Sequence, residues 1–66
     1  MREWLKKLRL KRNLSQQNVA DELGITQQYY NLIENGERQS KMTIDTAQKL
    51  AKVFDVPLDF ILQNEN

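Results

Sequence analysis

Residues 15–36 contain two short helix-forming runs joined by one tight turn, and this stretch constrains the fold more than any other. Ser15 and Thr26 precede the two runs. Both residue types are favourable N-caps because the side-chain oxygen accepts a hydrogen bond from an unpaired N–H of the first turn. Gly24 separates the runs and can end the first helix in the left-handed conformation without a Cβ penalty. Two helices of about eight residues across so short a turn have to share one core, which is helix-turn-helix geometry.

The spacing of apolar residues extends this pattern to the rest of the chain. Apolar positions recur every three to four residues, as on the inward face of a helix; they include Val19, Ala20, Leu23, Tyr30, Ile33, Ala47, Leu50, Ala51 and Phe54. Thr43 is a further N-cap, and Pro57 suits the start of a last short helix. The sequence therefore predicts an all-α fold with helices over residues 1–12, 16–23, 27–34, 44–54 and 57–62. We expect one domain over residues 1–62 and a frayed tail over residues 63–66.

Composition excludes several classes of function. The 66 residues suffice for one small domain. The chain contains no cysteine and no histidine. We therefore expect no disulfide framework, no zinc site and no histidine-activated nucleophile. It follows that we expect no catalytic residue, metal or cofactor. No apolar run approaches the ~20 residues of a membrane-spanning helix, and no secretory signal is visible. These features favour a reducing compartment, the cytoplasm, and no membrane partner.

The charge of the chain is unevenly distributed. Residues 1–12 contain six basic residues and one acidic residue, a net charge of +5, whereas the remaining residues have four basic and eight acidic residues, a net charge of −4. A basic side of this kind favours contact with a nucleic acid. A solvated surface helix would show the same pattern, so charge alone does not decide between the two.

The order and spacing of these motifs resemble the Cro and phage-repressor (XRE) family of helix-turn-helix DNA-binding domains. The resemblance lies in Leu14-Ser15-Gln16, Ala20, Leu23-Gly24-Ile25-Thr26-Gln27-Gln28 and Ile33-Glu34-Asn35-Gly36, and extends to Leu5, Leu8-Arg9, Ala47, Leu50-Ala51, Val56 and Leu58. It implies a compact five-helix fold of bacterial or phage origin. It also implies a homodimer that binds a roughly palindromic site on double-stranded DNA and regulates transcription, as a repressor in particular. We expect no small-molecule ligand, because the chain has no room for a sensing module.

The resemblance assigns the second helix of the motif to base recognition. The residues implied to read bases are Gln27, Gln28, Asn31 and Leu32. A glutamine amide presents a donor and an acceptor together, which matches the major-groove edge of adenine. Exposed glutamines are also common on helices that bind nothing. Leu32 departs from the family, which usually has a polar or basic residue there; either it contacts a thymine methyl or it is an ordinary exposed leucine.

Other residues are implied to contact phosphates, to pair inside the fold or to form the dimer. The phosphate candidates are Ser15, Gln16, Tyr29, Asn35, Arg38, Ser40 and Lys41, the last three in a loop that is longer than usual for the family. Arg9 and Glu34 are expected to form an ion pair, because a nearly buried carboxylate needs a partner. In the last helix, Phe60 is expected to close the core while Leu58, Ile61 and Leu62 face a second subunit. The alternative for those three residues is an apolar surface without a partner.

A second function from a different class remains open at this point. An antitoxin or another protein-interaction module could use its C-terminal surface to block a protein partner, with DNA binding secondary. A neighbouring toxin gene or co-purification with a partner would distinguish this function from that of a transcriptional regulator.

Overall fold

The computed structural model describes residues 1–36 and 42–65. Within these residues the chain forms five α-helices, with no strand: α1 (Glu3–Lys11), α2 (Gln16–Leu23), α3 (Gln27–Asn35), α4 (Ile44–Phe54) and α5 (Leu58–Asn64). The predicted all-α class is therefore confirmed. None of the helices in the described ranges combines the length and the apolar character needed to cross a membrane.

The predicted capping residues lie at the ends of the helices in the structure. Ser15, Thr26 and Thr43 each accept a hydrogen bond from the backbone N–H three residues later. At α2 the cap is reciprocal, because the Asn18 side chain also accepts from the Ser15 N–H. Gly24 ends α2 with a φ of 74°, a left-handed conformation that costs glycine nothing. Three side-chain caps and this turn fix the directions of α2, α3 and α4.

The core is a cluster of buried apolar side chains to which all five helices contribute. Its members are Leu5, Val19, Ala20, Leu23, Tyr30, Ile33, Ala47, Leu50, Ala51, Phe54 and Ile61. α2 packs against both α3 and α4, α5 packs against α4, and α1 packs against α3. α3 is thereby supported from behind by α1 and α2, which leaves its other side exposed.

The orientation predicted for α5 is wrong. Ile61, expected at a dimer interface, is completely buried, whereas Phe60, expected in the core, is 38% exposed. Successive helical residues point about 100° apart, so only one of these neighbours can face the core. Leu58 and Leu62 lie half-buried on one side of Ile61. Phe60 lies on the other side, where its ring meets the edge of Trp4 with the centroids 6.4 Å apart.

The last helix extends beyond its predicted end at Leu62. Gln63 and Asn64 continue α5, and the Glu65 carboxylate binds the Arg2 guanidinium. The sequence pattern missed this because it ended the helix at Leu62 and offered no partner for Glu65. Asn66 lies outside the described residues.

Candidate nucleic-acid interface

The exposed side of α3 presents a shallow open depression lined by Gln27, Gln28, Asn31 and Leu32. We call these four residues the recognition face. They are the four residues that the sequence assigned to base reading, and the structure brings them together on one surface. Gln27 and Gln28 occupy the first turn of α3 and are exposed. The recognition face therefore begins at the N-terminus of the helix, the end from which recognition helices enter the major groove.

Two side chains of α3 expose large apolar surfaces beside these amides. Leu32 is 42% exposed and Tyr29 is 45% exposed, although neither contributes to the core. Tyr30 and Ile33, which alternate with them in the sequence, are buried instead. α3 is thus amphipathic, with an outer side that mixes amide and apolar groups.

The Arg9–Glu34 ion pair implied by the resemblance is present beneath α3. Arg9 Nε donates to Glu34 Oε2 at 2.9 Å and Arg9 Nη2 donates to Glu34 Oε1 at 3.1 Å. Arg9 Nη1 also donates to the carbonyl of Leu14, at 3.0 Å. The Glu34 side chain is only 2% exposed. Planar two-point pairing of this kind satisfies a carboxylate that has been removed from water.

The pair keeps both of its members charged. Burial is the largest single influence and would raise the pKa of Glu34, but the charge of Arg9 and the hydrogen bonds to Glu34, of which that to Arg9 lowers the pKa most, together outweigh burial, and the pKa lies below the usual value. The same hydrogen bond raises the pKa of Arg9. At neutral pH the α1–α3 contact therefore contains an ionised carboxylate, which can accept hydrogen bonds but not donate them.

Tyr30 lies in the same buried region. Its hydroxyl has no hydrogen-bond partner in the described part of the chain that meets ordinary geometric limits. Burial, followed by the charge of Glu34, raises the pKa of Tyr30. The ring fills the core, and its hydroxyl stays protonated at neutral pH.

Hydrogen bonds connect this ion pair to the outer surface through three amide side chains, Gln16, Asn31 and Asn35, which we call the amide network. Gln16 Nε2 donates to Glu34 Oε1 at 3.3 Å. Asn31 Nδ2 donates to Gln16 Oε1 at 3.3 Å, and Asn35 Nδ2 donates to Asn31 Oδ1 at 2.7 Å. Sequence analysis placed each of these residues at the interface but did not link them. A hydrogen bond between α2 and α3 side chains has no signature in local sequence.

A second arginine supports the C-terminal end of α3 and was not predicted. Arg2 donates from its backbone N–H to the Glu34 carbonyl at 2.7 Å and from Nη1 to the Ile33 carbonyl. Its Nε and Nη2 groups donate to the two oxygens of Glu65, at 2.6 and 3.0 Å. Arg2 thus joins α3 to the end of α5.

Fewer basic side chains of residues 1–12 are exposed at the surface than the sequence suggested. Arg2 and Arg9 are engaged in internal ion pairs. The exposed cations of this segment are Lys6, Lys7, Lys11 and Arg12.

The remaining phosphate candidates divide into two groups. Ser15 and Gln16 mark the N-terminal end of α2, where Ser15 is occupied as a cap, and Asn35 lies in the last turn of α3. Arg38, Ser40 and Lys41 lie outside the described residues.

Comparison with known proteins agrees with this architecture. The sequence model of a helix-turn-helix family matches residues 5–61, and the chain belongs to this family, in its XRE branch. It is 41% identical over 64 residues to the uncharacterized HTH-type transcriptional regulator YqaE of Bacillus subtilis, an alignment that covers 97% of this chain and 53% of YqaE. It is also 35% identical over 54 residues to the transcriptional repressor RstR of the cryptic phage CTXphi in Vibrio cholerae, covering 82% of this chain and 47% of RstR.

A third relative has a similar extent. The SPbeta prophage-derived regulator YonR of Bacillus subtilis is 41% identical over 61 residues, an alignment that covers 92% of this chain and 55% of YonR. The chain thus spans about half the length of these three relatives. No solved structure matches it.

Proposed function

We propose that this protein is a sequence-specific regulator of transcription, in particular a repressor, that places α3 in the major groove of duplex DNA. The observation that carries the proposal is the recognition face. Three amide side chains and one leucine line one exposed depression on a helix-turn-helix unit, and two of the amides, Gln27 and Gln28, are suited to base edges. Two of the similar proteins named above are described as prophage-derived or phage regulators, which supports a role of the same kind in a bacterial cytoplasm.

Within the recognition face, we assign base reading first to Gln27 and Gln28. Both amides are exposed at the start of α3, and neither is bonded to another described residue. Each can therefore offer its donor and its acceptor to one base, such as adenine at N7 and N6. Leu32 supplies an apolar surface for a thymine methyl. Tyr29, one position from Gln28, can reach a phosphate with its hydroxyl.

Phosphate contacts fix the position of such a helix on the duplex. The N-terminus of α2 directs unpaired N–H groups and a partial positive charge outwards, and Gln16 adds a side-chain amide there. Asn35 provides a further amide at the other end of α3. We include Arg38, Ser40 and Lys41 from the sequence resemblance alone.

We further propose a homodimer that places two recognition helices one DNA turn apart on a roughly palindromic operator. The proposed contact surface is the side of α5 that carries Leu58 and Leu62, both half-buried and still accessible. A small domain gains affinity when two linked half-sites bind together.

Selection of bound sequences from a random pool of duplex DNA tests these proposals together. Enrichment of a two-fold repeat with half-sites one turn apart is expected. In Gln28→Ala, the selected sequence should lose about 1–3 kcal/mol of binding free energy, with little change on random duplex. Gln17→Ala, on the exposed side of α2, is the matched control. Failure to enrich any duplex would contradict the proposed function.

Sedimentation of two α5 variants tests the dimer. Leu62→Glu should keep the helical circular dichroism and abolish the dimer, because its side chain is still accessible. Ile61→Glu should unfold the protein, because it places a charge in the core. A wild-type protein that sediments as a monomer even on the selected DNA would exclude the dimer.

A further inference from the structure

The amide network has a direction that is fixed by the Glu34 carboxylate. An ionised carboxylate only accepts hydrogen bonds, so Gln16 has to turn its N–H towards Glu34. The Gln16 carbonyl then points at Asn31, which has to donate in turn. Because the N–H of Asn31 is directed at Gln16, the Asn31 carbonyl faces Asn35 and accepts a hydrogen bond from it. An isolated amide can exchange its oxygen and nitrogen by a flip of the group, but here each flip would bring two acceptors or two donors together.

This direction determines what the amides offer to the outside. Each amide nitrogen has two N–H groups, and the network uses one of them. The second N–H of Gln16, Asn31 and Asn35 is not accepted by any residue of the described ranges. Phosphate oxygens carry no hydrogen to donate, so a side chain that binds them has to present a donor. A carboxylate inside the fold thus fixes the direction in which the three amides use their donors and acceptors.

We propose that Asn31 is a positioning residue for DNA binding. It holds Gln16 and Asn35 in the orientation that presents their N–H groups to the phosphates on either side of α3, and it does not itself read a base. This assignment rests on the proposed function and changes the role that sequence analysis gave to Asn31. Its carbonyl and one of its N–H groups are already bonded within the protein, whereas Gln27 and Gln28 keep both amide functions for a base.

The amide network also joins α2 to α3. Both helices carry amides that we propose to bind phosphates, so the positions of these amides relative to one another matter for binding. Gln16 is the first residue of α2, and Asn31 and Asn35 are one turn apart on α3. With Asn31 in place, the two outer amides are held relative to one another and to the buried Arg9–Glu34 pair. Without it, Gln16 keeps only its bond to Glu34, and Asn35 has no side-chain partner among the described residues.

Side-chain amide NMR of the DNA-free protein tests the holding role directly. In Asn31→Ala, the ¹⁵NH₂ signals of Gln16 and Asn35 should shift and lose their protection from exchange. The Gln17 amide is the internal control, because it bonds Asp21 at 2.8 Å outside the network. Its signal should stay unchanged, and circular dichroism should show the same helix content.

Asn31→Asp tests the direction of the network and keeps the size of the side chain. An aspartate can still accept from Asn35 but cannot donate to Gln16. The Gln16 signal should therefore move while the Asn35 amide stays protected. Equal release of both amides, or of neither, would show that the direction is wrong.

DNA titrations test the functional consequence, using the duplex recovered by selection and a random duplex of equal length. Asn31→Ala should weaken binding to both by a similar factor of about five to ten, because bonds to phosphate carry no sequence information. The dependence of binding on salt concentration should stay the same, because an uncharged amide releases no counterion from the duplex. Gln28→Ala should weaken binding to the selected duplex alone.

The possible contradictions are distinct. If Asn31→Ala weakens only the selected duplex and leaves the Gln16 and Asn35 signals in place, Asn31 reads a base and the positioning role is wrong. If neither titration changes, the role is wrong as well. If the wild-type protein binds no duplex, the proposed function fails and the DNA role of Asn31 fails with it. The NMR measurements would then still decide whether Asn31 holds the other two amides.

Discussion

Two arginine–glutamate pairs support α3, and they differ in how far they are removed from water. Arg9 and Glu34 make two hydrogen bonds of 2.9 and 3.1 Å, and Arg2 and Glu65 make two of 2.6 and 3.0 Å. The geometry is therefore similar. The carboxylates are not, because the Glu34 side chain is 2% exposed and that of Glu65 is 22% exposed.

This difference in exposure means that a short hydrogen bond is not always the one whose loss costs most stability. Removing one partner of a buried pair leaves a charge without water or a counter-charge, which costs far more than the intact pair contributes. A glutamate that still reaches water regains hydration when its partner is lost. We therefore expect the Arg9–Glu34 pair to dominate the stability of α3, although the Arg2–Glu65 pair is the shorter of the two.

The largest effect is expected for Arg9→Met, which leaves Glu34 buried without its partner. The free energy of unfolding should fall by about 3 kcal/mol, and Arg9→Met/Glu34→Leu should recover part of this loss. Urea denaturation followed by circular dichroism measures both values. Lys7→Met, at an exposed position of the same helix, should change stability by less than about 0.5 kcal/mol. Additive losses in the double-mutant cycle would show that the two residues do not interact.

Acid should weaken the same pair without any mutation. The pKa of Glu34 is lower in the folded protein than in the unfolded chain, so its contribution is complete above the ordinary value of 4.5 and is lost as the pH falls through the folded value. The free energy of unfolding should decline from about pH 4.5 downwards. Glu34→Gln should lose stability at neutral pH and show a shallower decline in acid. An identical acid profile in wild type and Glu34→Gln would contradict this assignment.

A smaller loss is expected for Arg2→Met. It removes the bonds to Glu65 and to the Ile33 carbonyl, but the Glu65 carboxylate left behind is 22% exposed and can regain hydration. We expect a decrease in the free energy of unfolding of about 1 kcal/mol. Glu65→Gln, which keeps a side-chain acceptor, should cost less than Arg2→Met. A loss for Arg2→Met as large as that of Arg9→Met would show that exposure does not set the difference between the pairs.

The smallest effect is expected for Tyr30→Phe, beside the buried pair. The Tyr30 hydroxyl has no partner in the described ranges, so its removal should change stability by less than about 1 kcal/mol, in the stabilising direction. The raised pKa of Tyr30 means that wild-type stability should also fall as the pH rises above the ordinary value of 10.0, and Tyr30→Phe should reduce this fall. A clear loss of stability at neutral pH would show instead that the hydroxyl donates to Glu34.

The separation of two residues along the chain determines whether their contact could be predicted from the sequence. Ser15, Thr26 and Gly24 act through neighbours three or four residues away, so their roles could be predicted from local spacing. The Arg9–Glu34 pair could be predicted because the family resemblance includes both residues. The Arg2–Glu65 pair joins residues 63 positions apart, and no local pattern marks it.

The misassignment in α5 has a different physical cause. Residues 56–62 are apolar at most positions, so the helical period does not select one inward face. Packing against α4 selects Ile61 and leaves Phe60 at the margin. The candidate site shows the same limit, since the recognition face could be predicted from outward positions on one helix. The amide network could not, because it depends on how two helices cross.

The contact between Arg2 and Glu65 brings distant parts of the polypeptide side by side at the end of α3. A short flexible linker from Glu65 back to Met1 would therefore produce a backbone ring with little distortion of the described fold. Such a ring removes conformations from the unfolded chain while leaving the folded one as it is, so the midpoint of heat denaturation should rise. The recognition face lies on the outer side of α3 and would remain open to its ligand.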